Sequence, residues 1–357
     1  MFEARGAAWD ARMNWRTGRH ELRDPEPIRS LWRPAPEPGV LARRPQRFFE
    51  GLDGGFRLLR FAPALTVGLA LIVFTLWALA LAALGSAVVW ASAGLLAEVF
   101  ADPDATAGFA VITQVGALVA SLTALSLVHL LAGVTAVGTR AAFDSERMTL
   151  KQGWAALRGV RLRLVLTTVL LFALHLGALI ALSAPALLLA GLGSGTGSAI
   201  VLLLGVFGWL AFTVYFGIRT AFVGCVISHE QATVGQAFRR SWRLTRHGFW
   251  RTAGQLVLGY ALSNQLVSIV ITPIIIIVYV ALIIVSLTML STASVTAFGA
   301  IALTLVALVT VFVTLAATAA LFAYLAGLVS VVYFDRLMRT EGYDLILLRE
   351  AERRAAR

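Results

Sequence analysis

Residues 237–250 read AFRRSWRLTRHGFW, and residues 253–289, which follow almost at once, contain no charged side chain. Four arginines, a histidine and four large aromatics thus abut a long apolar run. At 100° per residue, Val234, Phe238, Trp242 and Phe249 fall within an arc of about 80°, and Arg239, Arg240, Arg243, Arg246 and His247 within about 120° on the other side. A helix divided in this way is expected to lie in a membrane interface, aromatics toward the acyl boundary and arginines at the headgroups. Its simplest role is to fix topology. Its richer role is to bind anionic lipid or a partner through Arg239, Arg240, Arg243, Arg246 and Trp242.

The rest of the chain agrees with a membrane. Of 357 residues, 59% are hydrophobic and 14% charged, with mean hydropathy +0.83. Soluble domains average about 45–50% apolar and about 25% charged. The fold class expected is all-α, a polytopic helical membrane protein. A crossing needs ~20 apolar residues, and six runs qualify: 61–84, 109–137, 164–191, 199–218, 253–289 and 296–333. Residues 87–100 read as a surface helix after a break at Gly85-Ser86. Pro185 and Pro273 are expected to kink their spans.

The basic residues set the orientation. Residues 1–60 carry twelve, and 139–163, 219–251 and 336–357 carry six each, which accounts for all 30. The intervening loops at 101–108, 191–198 and 290–295 carry none. The positive-inside rule then places both termini in the cytoplasm and the spans in the plasma membrane. The net charge of +11 is absorbed by this pattern, so nucleic acid is not expected as a partner. The expected partners are the bilayer, anionic lipid, and a membrane protein or a second copy of the chain.

Each basic block leads into an odd-numbered span: FFEGLDGGFRLLRFAP at 48–63, LKQGWAALRGVRLRL at 150–164 and VGQAFRRSWRLTRHGFW at 234–250. This suggests three repeats of a basic amphipathic helix followed by a transmembrane hairpin. Residues 1–45 hold six of the ten prolines and read as a disordered cytoplasmic tail. Residues 46–335 form the six-span domain and 336–357 an amphipathic cytoplasmic tail.

Three of these stretches resemble a known family. AFRRSWRLTRHGFWRTAGQL, FFEGLDGGFRLLRFAP and VYFDRLMRTEGYDLILL are similar to motifs of the glycerophosphoryl diester phosphodiesterase membrane-domain-like family, bacterial and mostly actinobacterial membrane proteins. In the last stretch Tyr333, Asp335, Arg339, Glu341, Gly342, Asp344 and Leu345 match, while Arg336-Leu337 reverses the usual order. The family takes its name from members that carry a separate soluble phosphodiesterase domain. The resemblance implies a membrane protein without an assigned activity.

Residues with chemical potential are few. His129 and His175 lie mid-span, and Asn264 and Gln265 lie in the fifth span. These four are candidates to line a polar cavity or to hydrogen-bond between helices. Arg219 is expected to snorkel or to meet a buried partner such as Glu230. Carboxylates among Asp335, Glu341 and Asp344, with Arg339 beside them, are expected to pair with arginines of 239–246. GLGSGTGS at 191–198 reads as a tight hairpin turn. One cysteine, Cys225, excludes an intrachain disulfide. No metal site, cofactor or catalytic group is expected. The leading expectation is a non-enzymatic accessory or scaffold protein in envelope or lipid-related processes. The alternative is a lipid or small-solute transporter with a cavity between hairpins.

Overall fold

A computed structural model describes residues 13–14, 19–20, 40–91, 105–292 and 297–355. The chain divides into two units, Met1–Pro38 and Gly39–Arg357. In the first, Met13–Asn14 pair antiparallel with Arg19–His20. The rest of the proline-rich tail lies outside the described residues. In the second unit, residues 40–45, read with that tail, belong to the folded body. Leu41 and Gln46 are buried there.

The described residues of the second unit are mostly helical: α1 Phe48–Phe61, a π-helical turn Ala64–Gly68, α2 Leu69–Ala91, α3 Ala105–Ala142, α4 Leu150–Ala156, α5 Arg161–Gly191, α6 Gly195–Thr220, α7 Val223–His229, α8 Val234–Arg246, α9 Phe249–Thr292, α10 Ala297–Glu341 and α11 Tyr343–Ala355. Six segments are long and apolar enough to cross a bilayer: Ala64–Val88, Gln114–Ala142, Arg161–Gly191, Gly195–His229, Phe249–Leu287 and Ile301–Glu341. The protein is an all-α, multi-pass membrane protein.

Short helices precede α2, α5 and α9, where the three basic blocks are. All three begin alike. The third helical residue turns its side chain back to the backbone N–H of the capping residue. Arg47 N donates to Glu50 (2.7 Å), Thr149 N to Gln152 (2.9 Å) and Thr233 N to Gln236 (3.0 Å). The repeat therefore has a local structural mark at one position of each unit.

Helix ends and interiors follow from local chemistry. Gly193 closes the α5–α6 turn at φ +80°, a conformation that costs glycine nothing. The expected break at Gly85-Ser86 does not occur. α2 runs through it to Ala91, and Ser86 Oγ returns its hydrogen bond to Ala82 O (2.8 Å). The side chain satisfies itself on the preceding turn, so the pair interrupts nothing. Residues 92–100 of the expected surface helix lie outside the described residues. Pro185 and Pro273 lie inside unbroken helices.

The core gathers around one half of one helix. From Ala319 to Met338, α10 is almost wholly buried, by α1, α2, α3 and α9. Close approach of α1 is possible because residue 55 is glycine: a Cβ there would sit 3.0 Å from the Tyr324 ring and 3.4 Å from Leu328 N. α7 meets α3 backbone to backbone, and a Cβ at Gly224 would overlap the His129 carbonyl oxygen. The second and third hairpins, α5–α6 and α9–α10, pair along their lengths. The first does not. α2 and α3 meet at Trp77 Nε1–Thr123 Oγ1 (2.9 Å); α2 leans chiefly on α10, and α3 packs on α10 and α7 alike. Phe74 of α2 lies 4.9 Å from Phe322, and Thr139 of α3 bonds Ser330 (2.6 Å). Away from this knot the helices expose their apolar faces. α9 and α10 have 44 and 45 residues. At 1.5 Å per residue each is roughly 66 Å long, about twice the hydrocarbon thickness.

Candidate functional site

The basic end of the molecule is held by three ion-paired centres, two on a carboxylate and one on an arginine. Asp335, its side chain 1% exposed, accepts from Gln46 N (2.7 Å) and Arg339 Nε (2.9 Å), with Arg251 Nε at 3.9 Å. Gln46 O in turn accepts from Arg251 and Arg339, so the entry strand before α1 is clamped to α9 and α10. Asp144, after α3, takes Arg43 (2.9 Å), Arg140 (2.7 Å) and Arg354 (2.7 Å). It ties the residues before α1 to the last helix. Burial alone would raise its carboxyl, but Arg354 and Arg140 more than offset that and hold it below the ordinary carboxylate value. The third centre is Arg240 between Glu230 (3.0 Å) and Glu341 (2.5 Å). The bond to Glu341, ahead of that to Glu230, raises the guanidinium above its usual value despite desolvation.

Of the expected pairings between 335–344 and 239–246, the described residues contain Glu341–Arg240. Asp335 binds Arg339 and Arg251 instead. Six residues along a helix turn a side chain by about 240°, so Asp335 and Glu341 face different neighbours. Asp344, in the first turn of α11, joins none of these ion pairs.

α8 has three faces rather than two. Ala237, Ser241, Leu244 and Thr245 are buried against the knot. Ser241 Oγ donates to Arg219 O (2.8 Å) and accepts from Phe222 N (3.2 Å). Arg336 donates from Nε and Nη2 to Leu244 O (3.3 and 3.2 Å). Trp242 is 40% exposed at the edge of this face. The third face carries Arg239, Arg243 and Arg246, all exposed. Arg239 and Arg243 line a cleft of about 470 Å³ with Glu230, Gln231, Ala232, Gln236 and Arg240. Gln231 holds the loop in the left-handed region at φ +55°, and Arg163 Nη1 donates to its carbonyl (3.0 Å). Arg240 is neutralised by two carboxylates. Arg239 and Arg243 have no carboxylate within ion-pair distance among the described residues. The cleft therefore presents surplus positive charge one helical turn apart.

Arg219 neither snorkels free nor reaches Glu230. Its Cζ lies over three rings, Phe249 at 5.0 Å, Trp242 at 5.1 Å and Tyr215 at 5.3 Å from the centroids. Two aromatics of the opening stretch thus cap a cation of α6. Nε and Nη1 are enclosed with no acceptor.

Of the remaining candidates, His129 and His175 come near enough to interact electrostatically, and Asn264 and Gln265 do not join them. His175 Nδ1 bonds Leu171 O within its own helix (2.7 Å), and its ring faces Phe212 and Phe216. His129 is buried, its Nδ1 without a partner. Asn264 and Gln265 are exposed on α9, which packs chiefly on α10. The four do not line one cavity, because the histidines face the α3–α5–α6 packing and the amides face outward. Among the described residues no group of three His, Cys, Asp or Glu side chains could hold a metal ion.

The fold and this face define the class: a helical multi-pass membrane protein with a basic, ion-paired end and an arginine-lined cleft upon it. Comparison with protein-family models, curated proteins and solved structures finds no match.

Proposed function

We propose that this chain is a non-enzymatic scaffold of the plasma membrane, basic end in the cytoplasm, whose cleft docks an acidic segment of a partner protein. The observation that carries this is the contrast within α8. Arg240 is saturated by Glu230 and Glu341, whereas Arg239 and Arg243 stand beside it in the open cleft with no carboxylate within ion-pair distance among the described residues. Two guanidinium forks one turn apart match a pair of carboxylates better than any apolar or cationic ligand. The surrounding carboxylate centres tie α8, α9, α10, α11 and the entry strand together, so the cleft's walls are fixed in advance of binding. Pre-organised walls lower the ordering cost of docking. The charge counts of the loops support the orientation. A transport reading would require His129, His175, Asn264 and Gln265 around a shared cavity, and the exposure of Asn264 and Gln265 away from the two buried histidines favours the scaffold.

The test is a photo-crosslinking residue at Gln236, which lines the cleft, in cells that express the full chain. The proposal predicts one dominant protein adduct attached through an acidic segment. It also predicts loss of that adduct in the double variant Arg239→Gln, Arg243→Gln, and weakening with salt. An adduct indifferent to both, or none, would remove the docking role.

A further inference from the structure

The caged Arg219 points to a second ligand at a different place. Its guanidinium has three π faces for neighbours, no carboxylate within ion-pair distance among the described residues, and two nitrogens enclosed without an acceptor. Ring faces offset part of a cation's desolvation, but they accept none of its in-plane hydrogen bonds well. With Nε and Nη1 enclosed, Nη2 is the open edge. The cage is also open to the outside: Tyr215 is 44% and Trp242 40% exposed.

What lies around that edge is specific. Ile200, Leu204, Ala211, Tyr215 and Arg219 fall on one face of α6 at helical spacing. The first four are exposed, so an apolar strip runs down the helix and ends at the cation. From Leu204 to Arg219 the strip is about 22 Å long, more than the ~15 Å of hydrocarbon in one leaflet, so one acyl chain can lie along it throughout. Exposed Arg246 lies one turn after Trp242 on α8, about 40° around the helix from it. An apolar strip terminating in a guanidinium, an indole and a phenol matches the chemistry of a phospholipid: chain along the strip, phosphate at the cation, amphipathic rings at the boundary.

We propose that Arg219 Nη2, with Arg246, holds the phosphate of an anionic phospholipid of the inner leaflet whose chain lies along Ile200–Tyr215 of α6. The leaflet rests on the orientation proposed above; the site does not depend on the cleft. The test uses the full chain in nanodiscs of phosphatidylcholine with a minor fraction of phosphatidylglycerol, followed by native mass spectrometry of retained lipid. Wild type should retain phosphatidylglycerol over phosphatidylcholine. Arg219→Gln should reduce that preference about tenfold, as for one lost charge-assisted hydrogen bond, while Arg239→Gln, Arg243→Gln leaves it unchanged. Equal retention of the two lipids by wild type would overturn the proposal, a result that needs no variant to fold. Arg219→Gln with lowered melting temperature but intact lipid preference would overturn it too, since the cage would then serve packing alone. Displacement of the lipid by millimolar inorganic phosphate would reassign the site to a soluble anion.

Discussion

The two halves of α10 have similar composition and opposite fates. In the half nearer the basic end, Tyr324, Leu328, Val332, Tyr333 and Phe334 are buried at 2% or less. In the other half, Ile301, Leu305, Leu308, Val311 and Phe312 are exposed at 57% or more. Both are runs of apolar residues on one continuous helix. Hydropathy registers that a side chain avoids water. It does not register whether protein or lipid replaces the water. What separates the halves is the company they keep: glycines such as Gly55 let α1 approach, and the ion-paired centres at Asp335, Asp144 and Arg240 hold the neighbours in place.

The largest effect should come from breaking that contrast directly. Phe334→Ala leaves a cavity among Phe143, Tyr333 and Tyr343, expected to cost ~3–5 kcal/mol. Phe312→Ala, on the exposed half, should change the unfolding free energy by under ~0.5 kcal/mol. Thermal unfolding of the two variants in one detergent compares them, and equal losses would mean that the halves do not differ as described.

Next in size is the charge at the centre of the knot. Asp335→Ala strands the guanidinium groups of Arg339 and Arg251 and the Gln46 amide, and should cost ~3 kcal/mol or more. Asp53→Ala removes an exposed partner of Arg57 and should cost at most ~1 kcal/mol. Limited proteolysis ahead of α1 offers a second readout, since the loss of Asp335 should free the segment at residues 40–47 and the loss of Asp53 should not.

Smaller again is the Arg240–Glu341 pair. Arg240→Glu or Glu341→Arg alone should destabilise by ~1–2 kcal/mol. The double reversal should recover part of the loss, not all, because Glu230 would then face a glutamate at 240. Full additivity in the double-mutant cycle would show that the pair does not hold α8 to the end of α10.

The smallest effect is a pH dependence. The carboxyl of Asp144 is held below its ordinary value by Arg354 and Arg140. Its contribution is complete above the unfolded value of about 3.9 and is lost as pH falls through the folded value. The melting temperature of the wild type should therefore decline on acidification below about pH 4 more steeply than that of Asp144→Asn. Parallel curves would remove Asp144 as a source of acid sensitivity.

How much of this could be read from the chain depends on the range of the interaction involved. The spans and basic blocks are legible because they are contiguous. So is the turn at 191–198, where glycine marks its own conformation. The starts of the second and third repeats are legible too: Thr149-x-x-Gln152 and Thr233-x-x-Gln236 are capping signatures four residues wide, whereas the first repeat begins on Arg47 and carries no such signature. The buried face of α8 is not legible, since Ala237, Ser241 and Thr245 carry little hydropathy and the aromatics on the neighbouring face dominate the pattern. Asp144 is not legible either: its partners Arg43 and Arg354 are about 100 and 210 residues away, with no local pattern to join them. The Arg219 cage was hidden for a similar reason. Its rings come from α6, α8 and α9, and each aromatic taken singly reads as membrane-facing.

The comparison between the halves of α10 can be tested without any mutation. A hydrophobic diazirine dissolved in the bilayer labels side chains that face lipid, and peptide mass spectrometry locates the adducts. Label should concentrate on Ile301, Leu305, Leu308, Val311 and Phe312 and spare Leu328, Val332 and Tyr333. Even labelling along the whole of α10 would contradict the packed knot on which the clamp, the cleft and the cage all depend.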